Sequence, residues 1–277
     1  MTEQRNVQLA LPSRAENVVL VREALAGLAE TVAFGDTLDD VKAAVSEACN
    51  NVVLHAYPGG VGPMEVEIGV LRGELEVIVR DFGVGTVQGA VDDEAPGRGI
   101  GLAVIEALAA RADLRAHPGD GVEIEMVFEI PDPGDVASSA QTLSERPQPP
   151  IIGASSVRLL ISPSALAGPI LNRLVSALGA RVGFSLDRLS DAQLVSDALG
   201  ARIESVLDGG CVAIGIDALE RAVALRVGRL RAGGGAALLA GSAVGELGPL
   251  IERLADELEV TEADGTEVLS LLMRAAG

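Results

Sequence analysis

Ser46-Glu47-Ala48-Cys49-Asn50-Asn51-Val52-Val53-Leu54-His55-Ala56-Tyr57 reads as the end of an amphipathic helix. Leu38, Val41, Val45, Ala48 and Val52 recur in steps of three and four, which makes one buried helical face. Glu47 and Asn51 are four apart, so they stand one above the other along the edge of that face. A carboxylate stacked on a carboxamide offers an acceptor, a base and an oxygen ligand for a hard cation. By themselves the two residues also fit a plain solvated helix flank.

Outward from this helix the elements can be read in order. Val7 to Leu11 alternates weakly, as a first strand does. Ser13-Arg14-Ala15-Glu16 has the form of a capping box, opening a helix with apolar residues at Val18, Val21, Leu25, Leu28 and Val32. Tyr57-Pro58-Gly59-Gly60 closes the Glu47/Asn51 helix. Met64 to Val70 sets apolar residues against Glu65 and Glu67, and Leu75 to Val79 follows the Arg72-Gly73 turn. The two predict a half-buried antiparallel hairpin. The hairpin runs into Arg80-Asp81-Phe82-Gly83-Val84-Gly85. Thr86 to Pro96 has neither period and reads as a mobile loop. Gly97-Arg98-Gly99-Ile100-Gly101 then leads into a helix, Leu102 to Ala112, and Val122 to Phe128 is a last strand.

The 277 residues suffice for one large or two medium domains. Apolar residues are 48% and aromatic residues 2%, so the core must be built of Ala, Val, Leu and Ile. A net charge of −19 repels nucleic acid phosphates and anionic membranes. No apolar run suits a signal peptide or a membrane span, and Cys49 and Cys211 lack metal or redox spacing. A cytoplasmic protein with buried free thiols, no direct nucleic acid contact and no membrane is expected.

Five prolines at 131, 133, 147, 149 and 150 mark an extended linker. The expected organisation is a first domain over 1–130, a linker over 131–156 and a second domain over 157–277. The second half repeats the first. Val195 to Ala201 aligns with Val45 to Asn51, and Phe184 with Phe34, at an offset of 150; Pro163-Ser164 aligns with Pro12-Ser13 at 151. Ile251-Glu252 and Asp264-Gly265 follow Ile105-Glu106 and Asp120-Gly121 at 146 and 144. The repeat has lost its chemistry: Asn51 becomes Ala201, Asp81 falls opposite Gly228 or its neighbours, and the Gly97 to Gly101 turn has no clean counterpart, Gly233-Gly234-Gly235 lying where the loop should be with no phosphate turn after it. The second domain is expected to bind no nucleotide.

Three pieces carry chemistry. Glu47 and Asn51 share a helix. An Asp after a strand can accept from an exocyclic amine such as adenine's, and the glycines behind it let a flat base approach the backbone. Glycines at a helix start leave amides free for phosphate. Each piece has a bland alternative: a tight turn for Asp81 to Gly85, a hinge for Gly97 to Gly101. No P-loop Lys-Ser or Lys-Thr follows a glycine run, and the Rossmann spacing fails.

In order and spacing the set resembles the Bergerat-type ATP-binding fold, and is most similar to the bacterial anti-sigma-factor serine kinases. The resemblance covers about residues 7–130. It implies an α+β two-layer sandwich, a mixed and mostly antiparallel sheet with helices on one face, here duplicated. It implies ATP and Mg2+ as cofactors, Asn51 as metal ligand, and Asp81 as the reader of adenine. Gly83, Gly85, Gly97, Arg98, Gly99 and Gly101 would shape the nucleotide pocket and lid, and Glu47 would assist phosphoryl transfer. It implies partners: a sigma factor and an anti-anti-sigma (STAS-type) protein, with Arg22 as the contact; a solvated Arg22 on an outer helix face remains open. The implied activity is serine kinase action on that antagonist, the alternative being a non-catalytic module whose nucleotide state sets partner affinity. The second copy could stand in for a homodimer partner or form an intramolecular pseudo-dimer. A sensor histidine kinase is not expected, because His55 and His117 lie on no phosphoacceptor hairpin; His55 reads as a packed helix-end residue.

Overall fold

The computed structural model describes residues 6–84, 98–117, 121–132, 157–241, 249–263 and 265–275. It divides into two compact units, 1–142 and 143–277.

The first unit runs β1 (Val7–Pro12), α1 (Ala15–Leu28), α2 (Leu38–Asn51), β2 (Pro63–Leu71), β3 (Glu74–Asp81), α3 (Arg98–Leu108), β4 (Arg111–His117) and β5 (Gly121–Glu129). The strands lie in the order β4-β5-β3-β2-β1, and each neighbouring pair is antiparallel. Alternation places Leu9, Val66, Ile68, Val77, Val79, Ile124 and Met126 on the buried face. Val21, Leu25, Val41, Val45 and Ala48 of the helices are buried as well, so the two helical faces read from the sequence supply the opposite wall of this core.

The other sheet face is ionic. Arg80 stands opposite Glu65 on β2 and Glu123 on β5 in the strand register. Its guanidinium hydrogen bonds Glu123, with Nε at 2.9 Å, and lies 3.5 Å from Glu67. Arg115 on β4 holds Glu125 at 2.7 Å and Glu123 at 3.2 Å. Cross-strand arginines thus offset a row of carboxylates that would otherwise repel. Burial pushes the Glu123 carboxyl up, but Arg80 and Arg115 outweigh it and hold it below the usual range.

Three local readings are corrected. Ser13 does not cap α1: the N-cap is Arg14, without a side-chain cap bond, and the Ser13 hydroxyl instead accepts the Gly62 N–H at 3.1 Å. The helix after the second glycine motif spans Arg98–Leu108, so Gly99 and Gly101 sit inside its first turns rather than in a preceding turn. The residues beyond it form β4, a strand with charged, largely exposed side chains; such charge suits a sheet edge and hides the strand period. The loop expected over Thr86 to Pro96 and the linker beyond Asp132 lie outside the described residues.

The second unit runs β6 (Val157–Ile161), α4 (Ala167–Arg181), α5 (Leu186–Gly200), β7 (Val212–Leu219), β8 (Ala222–Leu230), α6 (Gly234–Gly241), α7 (Leu250–Leu254), β9 (Glu257–Ala263) and β10 (Thr266–Arg274). Its strand order is β9-β10-β8-β7-β6, again antiparallel. Element for element this is the scheme of the first unit, with two short helices in the place of α3.

Candidate functional site

Helix α2 ends as a regular helix at Asn51 and continues as one π-helical turn over Val52–Ala56. Such turns widen the backbone and recur at functional sites. Here the turn directs Ala56 inward, while Leu54 and His55 are exposed. His55 is therefore not the packed helix-end residue expected. Glu47 and Asn51 are each half-buried on α2, and Cys49 beside them is fully buried, its thiol pushed up to about 12 by burial.

Three glycines report how closely the pieces approach. A β-carbon on Gly83 would lie 2.0 Å from the Ala56 carbonyl oxygen, so the turn after β3 abuts the π-helical turn that follows Asn51. A β-carbon on Gly101 would lie 2.4 Å from Glu47 Oε1, so the start of α3 abuts the carboxylate on α2. A β-carbon on Gly121, whose φ is +91°, would lie 2.8 Å from Asp81 Oδ1. The first and second motifs meet at Gly83, and the first and third at Gly101.

Asp81 is the last residue of β3 and is 5% exposed. Its Oδ1 accepts the Gly83 N–H at 2.9 Å and the Val122 N–H at 3.3 Å. Both amides use the same oxygen, and Oδ2 has no hydrogen-bond partner among the described residues. Burial pushes the carboxyl above its ordinary range, only partly countered by the two amides. A buried carboxylate with one oxygen anchored and the other available is suited to accept from an amine.

Of the remaining candidates, Arg22 is exposed on α1. Arg98 and Gly99 open α3, the Arg98 side chain lying outside the described part, and Gly85 and Gly97 lie outside the described residues. Among the described residues no group of three or more His, Cys, Asp or Glu side chains is placed to hold a metal. The oxygen donors Glu47 and Asn51, one helical turn apart, fit a hard cation that takes few protein ligands and shares the rest with phosphate and water.

One residue was overlooked in the sequence. The Tyr57 hydroxyl donates to the Pro63 carbonyl at 2.6 Å and accepts the Phe82 N–H at 2.8 Å. It ties the end of the π-helical turn to the residue after Asp81. The signal available was its rarity, since it is the only tyrosine in the chain.

The second unit carries different chemistry at the matching places. Counting from the two-residue hairpin turns, which follow Leu71 and Leu219, Arg229 takes the place of Asp81. Its φ is +63°, and its buried Nε has no hydrogen-bond partner among the described residues. Asp197, aligned with Glu47, accepts from the Asn172 side chain at 2.8 Å. At the start of α6 the Gly233 and Gly235 amides donate to the Glu267 carboxylate at 2.6 and 2.9 Å, which holds its carboxyl below the usual range. That helix start already has an anion of its own.

Residues 11–128 match the family described as the histidine kinase-like ATPase domain. The serine-protein kinase RsbW of Bacillus mycoides (strain KBAB4) is 33% identical over 143 residues, covering 47% of this chain and 88% of that protein. The chain belongs to this family, the anti-sigma serine kinases of the histidine kinase-like ATPase group. The RsbW proteins of Bacillus thuringiensis (strain Al Hakam) and Bacillus anthracis are 39% identical over 79 residues, 28% of this chain. In those two matches the chain spans about half the length of the relative, 49%. The ATPase domain accounts for the first unit and leaves the second outside the matched region. Among the described residues no helix is long and apolar enough to cross a membrane.

Proposed function

We propose that the first unit binds ATP with magnesium, and that the chain is a cytoplasmic anti-sigma regulator that phosphorylates a serine on an anti-anti-sigma protein. The observation that carries the reading is the anchored Asp81 carboxylate, packed through Gly83 onto the π-helical turn that follows Asn51. Membership of the kinase family supports it.

In this reading Asp81 Oδ2 accepts from the exocyclic amine of adenine. The first amides of α3 face the phosphates, where the helix dipole favours negative charge. Asn51 would hold magnesium, whose charge the phosphates share when it is bound. Glu47 accepts the serine O–H and takes its proton as Oγ bonds to the γ-phosphorus. The bond from that phosphorus to the β-bridging oxygen breaks, and ADP leaves with the electron pair. Gly83 and Gly101 border this pocket, and Gly85, Gly97, Arg98 and Gly99 would contribute to its lining and lid. Arg22, exposed on α1, serves as the contact for the sigma factor and its antagonist.

The second unit is a degenerate copy, a reading supported by its matching strand order and by the same succession of elements, save for two short helices in the place of α3. Among the described residues Ala201, Arg229 and the Glu267-filled helix start leave it no amine acceptor or open phosphate turn at the matching places. Nucleotide titration of the whole chain should therefore show one site, not two. The kinase assignment is tested with labelled ATP and the cognate antagonist, using Asn51→Ala as control. Transfer that this variant abolishes supports it. Tight ATP binding without transfer would make the chain a non-catalytic module that reports nucleotide state to a partner.

A further inference from the structure

We propose that Tyr57 is a positioning residue that sets base specificity, by fixing the turn in which Asp81 reads the nucleotide. The proposal rests on the reading of Asp81 as the adenine acceptor and adds what holds that acceptor in place.

The Tyr57 hydroxyl has two fixed partners on different segments. The Pro63 backbone carbonyl, at the start of β2, accepts its O–H, and Phe82, directly after Asp81, donates its N–H to the phenolic oxygen. Only a neutral phenol can donate and accept at once. Burial, with the carboxylates of Asp81 and Glu65, pushes the phenol above its ordinary value despite the Phe82 amide, so it is neutral at physiological pH. The ring is held as well: a β-carbon on Gly62 would lie 2.2 Å from it. Gly62 is itself tied to Ser13, its carbonyl accepting the Ser13 N–H at 2.8 Å.

The consequence is orientational. Asp81 Oδ1 is anchored by the Gly83 and Val122 amides. The peptide that joins Asp81 to Phe82 carries the N–H that Tyr57 fixes. Without that bond this peptide can rotate, the Phe82 α-carbon moves with it, the following peptide that carries the Gly83 N–H shifts, and Oδ2 loses its aim. The phosphate end of the site, on α2 and α3, does not depend on this bond.

The test is calorimetry of the full chain with Mg-ATP and Mg-ITP, in which a 6-oxo group replaces the amine. The wild-type chain should prefer ATP by about 100-fold, because the carboxylate faces an acceptor in ITP. Tyr57→Phe should lower ATP affinity about tenfold and leave ITP within about twofold, so the preference shrinks. Adding Tyr57→Phe to Asp81→Asn should cause no further loss of preference. Equal loss for both nucleotides, or loss for neither, would overturn the proposal. Absence of ATP binding by the wild-type chain would instead overturn the underlying reading. Amide exchange of Phe82 in the unmodified chain gives a second measurement: protection is expected, and exchange at the rate of a free exposed amide would overturn the proposal without any variant.

Discussion

Helix α3 approaches Glu47 so closely that a β-carbon on Gly101 would stand 2.4 Å from its Oε1, 3.2 Å from Cδ and 3.3 Å from Cγ. A glycine inside a helix costs stability relative to alanine, about 1 kcal/mol. Here the bare backbone leaves room for a carboxylate. Gly101→Ala should gain helix propensity and meet only the far end of a flexible side chain. The melting temperature should therefore stay within about 2 °C. Glu47 must swing away, and phosphoryl transfer should fall about 100-fold with little change in ATP affinity. Parallel melting and transfer assays check this; an unchanged transfer rate would separate Glu47 from the chemistry.

Gly83 presents the opposite case. An added β-carbon there meets the Ala56 carbonyl oxygen at 2.0 Å and its carbon at 2.6 Å, and neither atom can turn away. The two backbones have to part. Gly83→Ala should cost about 1–3 kcal/mol, lowering the melting temperature by roughly 3–8 °C. ATP affinity should fall with it, since Asp81 loses the amide that anchors Oδ1.

Asp81 trades stability for binding. Its folded carboxyl titrates above its ordinary value, chiefly through burial. A raised carboxyl contributes stability that is complete below the unfolded value and is lost as pH rises through the folded one. At neutral pH the ionised group therefore weighs against the nucleotide-free fold. Asp81→Asn keeps the oxygen that accepts from Gly83 and Val122. It should raise the melting temperature of the nucleotide-free chain by about 1–2 °C at pH 7, with the gain shrinking toward pH 4. The same variant should lose its preference for ATP, its affinity falling to about that for ITP. A lower melting temperature at pH 7 would contradict this account of the buried charge.

The faces of α1 and α2 were legible because burial imposes a period of three and four, and Val21, Leu25, Val41, Val45 and Ala48 obey it. The β2–β3 hairpin was legible because Glu65, Glu67 and Arg80 alternate with its buried residues and form one ionic network. Strand β4 was not, because an exposed edge held by Arg115 and its carboxylates needs no apolar alternation. Ser13 misled because its sequence context is that of a cap, whereas tertiary contact with Gly62 claims the hydroxyl. At the site, the spacing singled out Glu47, Asn51, Asp81 and the glycines. That Gly101 faces Glu47 rather than a loop, and that Tyr57 reaches Phe82 across 25 positions, depends on how the elements pack. The counterpart of Asp81 needed the hairpin register, which selects Arg229 rather than Gly228.

Calorimetric titration of the full chain with ATP in the presence of magnesium tests the central claim most directly. The account predicts saturable heat with one site per chain, lost in Asn51→Ala and strongly reduced when ITP replaces ATP. No saturable heat with ATP at millimolar concentration, or heat that Asn51→Ala leaves intact, would contradict it.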